Sequence, residues 1–436
     1  MTSIRTNRRR LIFLTLVTMI SLSLLPALLH SVSLSPESSN NRYFQTAQWL
    51  SGWEYRKLHD IEGSAGAETN YQMRIQVDYH SGSDSGSTVH LDSHCNTDFS
   101  DIRFTDDDGS TQLDYWIERS TPGDYAVFWV EVKDNLDTSQ EIYIYYGNDN
   151  AESESSGEDT FIFFDDFEDG SLDTGHKWAY EDGSVEEEGG RLVLKGTSET
   201  RGYIYSQIAV SSGAAFHARS RASNNDISGS RAFTATIGEA LISTESCLDW
   251  DYMNDIYSVD SPNRILTRTR NRGNEDSKEV TVSDYTSYEE YRTLWTSEKT
   301  VYKQGETTIR TSTSQIPTRK QRFLFCEASQ NGDDSYVDWV FIRKYIDSEP
   351  SHSWWGNEEI EGQATTTPGG NHIVGLKILL PVILGLPIVA LVVVMVGFVY
   401  HEEYVIDRDS MSYITLPSLR EKSGYEPPED PQHERE

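Results

Sequence analysis

From Trp49 onward apolar and polar residues alternate in short runs, as in YQMRIQVDYH at 71–80, LDYWIERS at 113–120, YAVFWVEV at 125–132 and EIYIYYGN at 141–148. These runs are rich in Tyr, Val, Ile, Phe and Trp and are separated by Gly, Asp, Ser and Pro, which predicts short antiparallel strands joined by turns. Period two assigns faces. Leu113, Tyr115 and Ile117 share one face while Asp114, Trp116 and Glu118 share the other, and Ala126, Phe128, Val130 and Val132 form a core face. Asp107-Asp108-Gly109-Ser110 predicts a hairpin turn, because Gly supplies the positive φ that such turns need.

The acidic, Ser-rich stretch 151–159 marks a boundary, after which the pattern resumes. EGGRLVLKG, RGYIYSQIAV, AAFHARSRA, SRAFTATIG, QRFLFCEAS and YVDWVFIRKY again predict strands, with a hairpin at Gln304-Gly305.

Two stretches carry no such alternation. Ile378 to Tyr400 is uncharged and apolar and long enough to cross a hydrocarbon core as a helix, with Pro381 and Pro387 predicting a kink and Lys377 at its edge. Leu11 to Leu29 follows Arg5, Arg8, Arg9 and Arg10 and predicts a signal sequence cleaved near Ser31-Val32-Ser33, or an uncleaved signal anchor. The expected order is a signal segment at 1–33, a flexible segment at 34–48, a β-sandwich at 49–150 and a linker at 151–159. A second β-sandwich at 160–350, a stalk at 351–372, a transmembrane helix at 373–400 and an acidic cytoplasmic tail at 401–436 complete it. The expected fold class is therefore an all-β ectodomain of two antiparallel β-sandwich domains plus one C-terminal transmembrane helix. That places the protein in the cell membrane as a single-pass chain with its ectodomain extracellular and its C-terminus cytoplasmic.

W-x-YRK at 53–57, DIRFTDDDG at 101–109, LDYWIE, FWVEV and IYIYYGN at 142–148 resemble, in order and spacing, the domain of unknown function 2341 family of archaeal and bacterial surface proteins. The resemblance runs from about Trp53 to Asn150 and continues into FFDDFED; it implies a β-sandwich at a cell surface and brings no activity. The second set of strands resembles the concanavalin-like jelly roll shared by lectins, laminin-G modules and several glycosidases.

With 70 Asp and Glu against 37 Lys and Arg, the net charge is −33, which excludes a general nucleic-acid binder. Of the three cysteines, Cys247 and Cys326 share the second domain and can bridge or stay as buried thiols, and Cys95 is left over. Glycosidases of the resembled jelly roll carry Glu-x-Asp-x-Glu, or a form one residue longer, on one strand; that order is absent here, and no catalytic residue and no enzyme are expected. Asp166 and Asp338, near the two ends of the second domain, are candidates for a structural Ca²⁺, the one cofactor the sequence suggests. Trp250 and Tyr252 lie in an irregular acidic stretch and are candidate ligand contacts. Recognition of a glycan or surface-protein ligand is the leading function, with a structural role in the cell envelope and glycoside hydrolysis as the alternatives.

Overall fold

The computed structural model describes residues 48–180, 185–195, 203–224, 233–238, 251–259, 263–326 and 333–363. Its first sandwich sets a six-stranded sheet against a four-stranded one. In the larger sheet the strands run in the order Ser351–Trp355, Tyr55–Glu62, Gln140–Tyr146, Arg103–Thr105 and Gln112–Leu113, with Glu359–Ile360 also on Tyr55–Glu62. The smaller runs Thr88–His90, Tyr71–Asp78, Tyr125–Val132 and Tyr115–Thr121. Alternation does what it predicts: Leu113, Tyr115, Ala126, Phe128, Val130 and Val132 join Ile75, Phe104 and Ile144 in one core, with Ile117 packed against it. Gly109 sits at φ +72° in the 107–110 turn, where Asp108 Oδ1 accepts from the Ser110 and Thr111 amides, both at 2.7 Å.

The second sandwich pairs two larger sheets. Seven strands run Trp178–Tyr180, Tyr203–Ser206, Gln321–Cys326, Thr234–Gly238, Tyr252–Ser258, Arg264–Asn271 and Asn274–Thr281. Eight more run Val185–Glu187, Leu192–Lys195, Asp334–Lys344, Ala214–Ala222, Glu289–Trp295, Thr300–Gln304 and Thr307–Ser312, with Phe163–Asp165 on Asp334–Lys344. Between them lie Phe163, Trp178, Phe216, Trp295, Phe323 and Phe325.

The stretch expected as a stalk begins instead as structure. Ser351–Trp355 pairs antiparallel with Tyr55–Glu62, so the jelly roll is inserted between two strands of the first sandwich and joined to it twice. The 151–159 stretch is likewise held, with the Ser156 amide donating to Tyr115 O and Ser155 Oγ accepting from the Ile117 amide. Cys326 is disulfide-bonded and Cys95 is a free thiol that burial pushes up to about 12; Cys247 lies outside the described residues.

The expected fold class needs one correction. Among the described residues no helix is long and apolar enough to cross a membrane, and the only helix is the four-residue turn Gly157–Thr160. What the structure supports is an all-β protein, because the period-two pattern governs the segments it describes; the stretch 373–400 lies outside them.

Candidate functional site

Trp116 shares the Asp114 and Glu118 face of its strand and Trp129 alternates with the Ala126 to Val132 core face, and both tryptophans are buried. They meet Phe161, Phe164, Trp339 and Phe341 of the jelly roll in a six-ring cluster, with Phe161 stacked on Phe341 at 4.1 Å between centroids. Beside this apolar contact the two sandwiches part, leaving a cleft of about 490 Å³ along the seam.

From the first sandwich, Arg74 grips Glu118 with Nε at 2.9 Å and Nη2 at 3.2 Å. Trp129 Nε1 donates to the same carboxylate at 2.9 Å, and Arg119 pairs with it. From the jelly roll, Arg292 Nη2 bonds Glu290 at 2.6 Å and Glu306 at 2.7 Å, while Arg219 pairs with Asp338. Tyr288 and Glu289 complete the open side. A second cavity of about 260 Å³ continues along the seam and shares Arg74, Arg292 and Glu306 with the first.

Behind the cleft runs a buried relay. Arg343 Nε donates to His217 Nε2 at 3.1 Å, so His217 carries its proton on Nδ1 and gives it to Glu290 Oε1 at 2.7 Å. Complete burial pushes His217 down to about 3 despite the carboxylate beside it, and the ring stays neutral. Burial alone would raise Glu290, but the His217 hydrogen bond and the Arg292 charge outweigh it and hold the carboxyl well below its usual range. Arg343 continues to Glu349 at 2.5 Å, and Tyr71 of the first sandwich donates to that same oxygen at 2.7 Å. Both carboxylates of this relay, Glu290 and Glu349, are met by donors, as buried charge requires. The cleft therefore presents donors and acceptors whose directions are fixed before any ligand arrives.

The expected site residues fall elsewhere, with one exception. Asp338 lies at the seam, held by Arg219, and Asp166 is half-buried just after Phe163–Asp165. Among the described residues no group of three His, Cys, Asp or Glu is placed to hold a metal ion. Tyr252 opens a strand of the seven-stranded sheet with the Arg319 guanidinium 5.7 Å from its ring, and Trp250 lies outside the described residues. Sequence reasoning passed over Arg74, His217, Glu290, Arg292 and Arg343. The available signal was a charged or imidazole side chain in the middle of an apolar strand, as in YQMRIQVDYH, AAFHARSRA and VFIRKY.

The fold and this seam define a class, an all-β chain with a jelly roll inserted in a smaller sandwich. Residues 98–181 match the family described as Domain of unknown function (DUF2341), in agreement with the motifs of the first sandwich. No curated protein matches the chain. Among solved structures it is similar to the endo-β-1,3-glucanase from Pyrococcus furiosus, at 12% identity over 43% of this chain and 95% of that one, TM-score 0.37. It is also similar to the Bacillus licheniformis β-glucanase, at 19% identity over 42% and 97%, TM-score 0.35. The laminarinase from Flavobacterium sp. UMI-01 aligns at 16% identity over 42% and 100%, TM-score 0.35. This corrects the expectation of a non-enzymatic protein. The solved structures that the chain is similar to are glucan hydrolases by name.

Proposed function

We propose that the protein binds carbohydrate in the seam cleft and works outside the cytoplasm. The observation that carries the reading is the lining of the 490 Å³ cleft, where guanidinium and carboxylate groups are paired and locked while Tyr288 offers a half-exposed ring. Hydroxylated ligands are read by such planar, pre-oriented donors and acceptors, and the volume is that of an ordinary small-ligand site. A cleft between two rigidly joined sandwiches is also a common place for one. The disulfide at Cys326 and the Arg-led apolar N-terminus support an exported, oxidising location.

The test is a glycan array probed with the chain from residue 34 onward, followed by calorimetry on the glycans it captures. Tyr288→Ala and Arg219→Ala line the open side without joining the sandwiches, and each should weaken binding by about tenfold, or about 1.4 kcal/mol. Binding that survives both substitutions, or no captured glycan at all, overturns the reading. Reducing sugar released from a captured polysaccharide reads hydrolysis in the same experiment.

A further inference from the structure

A ladder of alternating arginine and tyrosine leads out of the cleft across the outer face of the eight-stranded sheet. It starts at the cleft with Arg219, whose guanidinium lies 4.9 Å from the Tyr288 ring. Arg221 follows, 5.2 Å from Tyr288 and 4.1 Å from Tyr336, and Arg191 lies on Tyr336 at 5.0 Å. The spacing comes from the strands: Arg221 is the register partner of Tyr336, and Arg191 directly precedes Leu192–Lys195, the neighbouring strand on the other side.

The charges of this ladder do not balance. Asp338 answers Arg219, but among the described residues no carboxylate pairs with Arg191 or Arg221, and Arg191 Nε is buried with no hydrogen-bond partner. In a chain with 70 acidic against 37 basic residues, two guanidinium groups on one tyrosine ring without a carboxylate are not explained by shortage of acids. Stacking fixes each guanidinium plane while leaving the N–H edge, the part that binds carboxylate or sulfate in two-pronged fashion, directed away from the ring. An anion laid against the two guanidinium edges supplies the carboxylate that neither has. The overall charge of −33 does not prevent this, because at physiological salt charges beyond about 8 Å are largely screened.

We infer that the ladder is the subsite for an anionic group and that the glycan of the cleft is an acidic one, carrying carboxylate or sulfate on its sugar rings. This rests on the cleft being a carbohydrate site. Arg221 and Arg191 flank Tyr336 from strands two steps apart in the sheet, about 9–10 Å between backbones, so an acidic chain laid across the ladder meets them one after the other.

The experiment measures binding of oligogalacturonate, its carboxyl-reduced neutral counterpart and a sulfated oligosaccharide of similar length, with native protein and with the double variant Arg191→Gln, Arg221→Gln. Oligogalacturonate should bind the native protein at least about tenfold more tightly than the neutral counterpart, and the double variant should abolish that preference while neutral binding moves by less than about twofold. Binding of the sulfated chain with the same sensitivity supports the subsite and shows that sulfate serves as well as carboxylate. Equal binding of acidic and neutral chains, or an unchanged preference in the double variant, overturns the acidic subsite and leaves the cleft reading standing. Binding of none of the three overturns the acidic subsite, while the glycan array alone decides the cleft reading. Should the double variant fail to fold, Arg221→Lys keeps the charge and loses the planar fork, and it should reduce the acidic preference alone.

Discussion

At the scale of single residues, the seam is a problem in burying charge, and His217 shows how it is met. Its neutral ring is fixed between an arginine donor and a carboxylate acceptor, which lets two strands pass charged side chains through an aromatic interface. The same burial makes stability depend on pH. An unfolded histidine titrates near 6.5, whereas folded His217 and His59 titrate at about 3 and His352 at about 4. Between those values the unfolded chain holds protons that the folded one does not, so the contribution is whole above pH 6.5 and is lost as pH falls. Over roughly pH 6 to 4 the native protein should lose about 1.4 kcal/mol more stability per pH unit than His217→Gln, read from urea unfolding at each pH. Parallel slopes would show that His217 is not held neutral. Phe341, fully buried and stacked on Phe161, is the other telling residue, and Phe341→Ala should cost about 3–5 kcal/mol in the same assay.

At the scale of elements, the strand Ser351–Trp355 matters most. It lies against Tyr55–Glu62, where the Trp355 ring stacks on His59 at 3.7 Å, His352 Nδ1 stands 2.8 Å from His59 Nε2, and Trp354 O meets His59 Nδ1 at 3.0 Å. A few residues on, Glu358 accepts from Tyr146 and Glu359 pairs with Arg56. A chain ending at residue 347 leaves this edge of the six-stranded sheet bare and Tyr146 without its acceptor. That chain should melt at least about 8 °C below one ending at 363, an effect of a few kcal/mol, as followed by circular dichroism. Equal melting temperatures would mean that the returning strand only rests on the sheet. Its sequence, SHSWW, gave little warning, since two of its five residues are serine and the run follows a proline.

At the scale of the whole molecule, the jelly roll is attached by two chain crossings, a six-ring cluster and the Arg343–Glu349–Tyr71 relay, all within residues 48–363. Two bodies coupled this strongly should unfold together, so calorimetry of residues 34–363 should show one transition with calorimetric and van't Hoff enthalpies in agreement. Trp116→Ala, which empties the middle of the cluster, should split it in two. Two transitions in the native chain would show that the seam is loose, and a loose seam cannot hold a fixed cleft.

Much of this was legible in the chain itself, for a physical reason. Alternation along one strand is local information, so the all-β class, the core faces of 113–117 and 126–132 and the turns at Gly109 and Gly305 follow from neighbouring residues alone. The second face of a strand is different, because whether Trp116, Trp129 and Phe341 meet water or each other depends on segments more than two hundred residues apart. For that reason the chain could not announce the seam, the return of 351–355 to the first sheet, or the pairing of Arg74 with Glu118 and His217 with Glu290. Only docking the two sandwiches turned charged residues in the middle of apolar strands into the lining of a cleft.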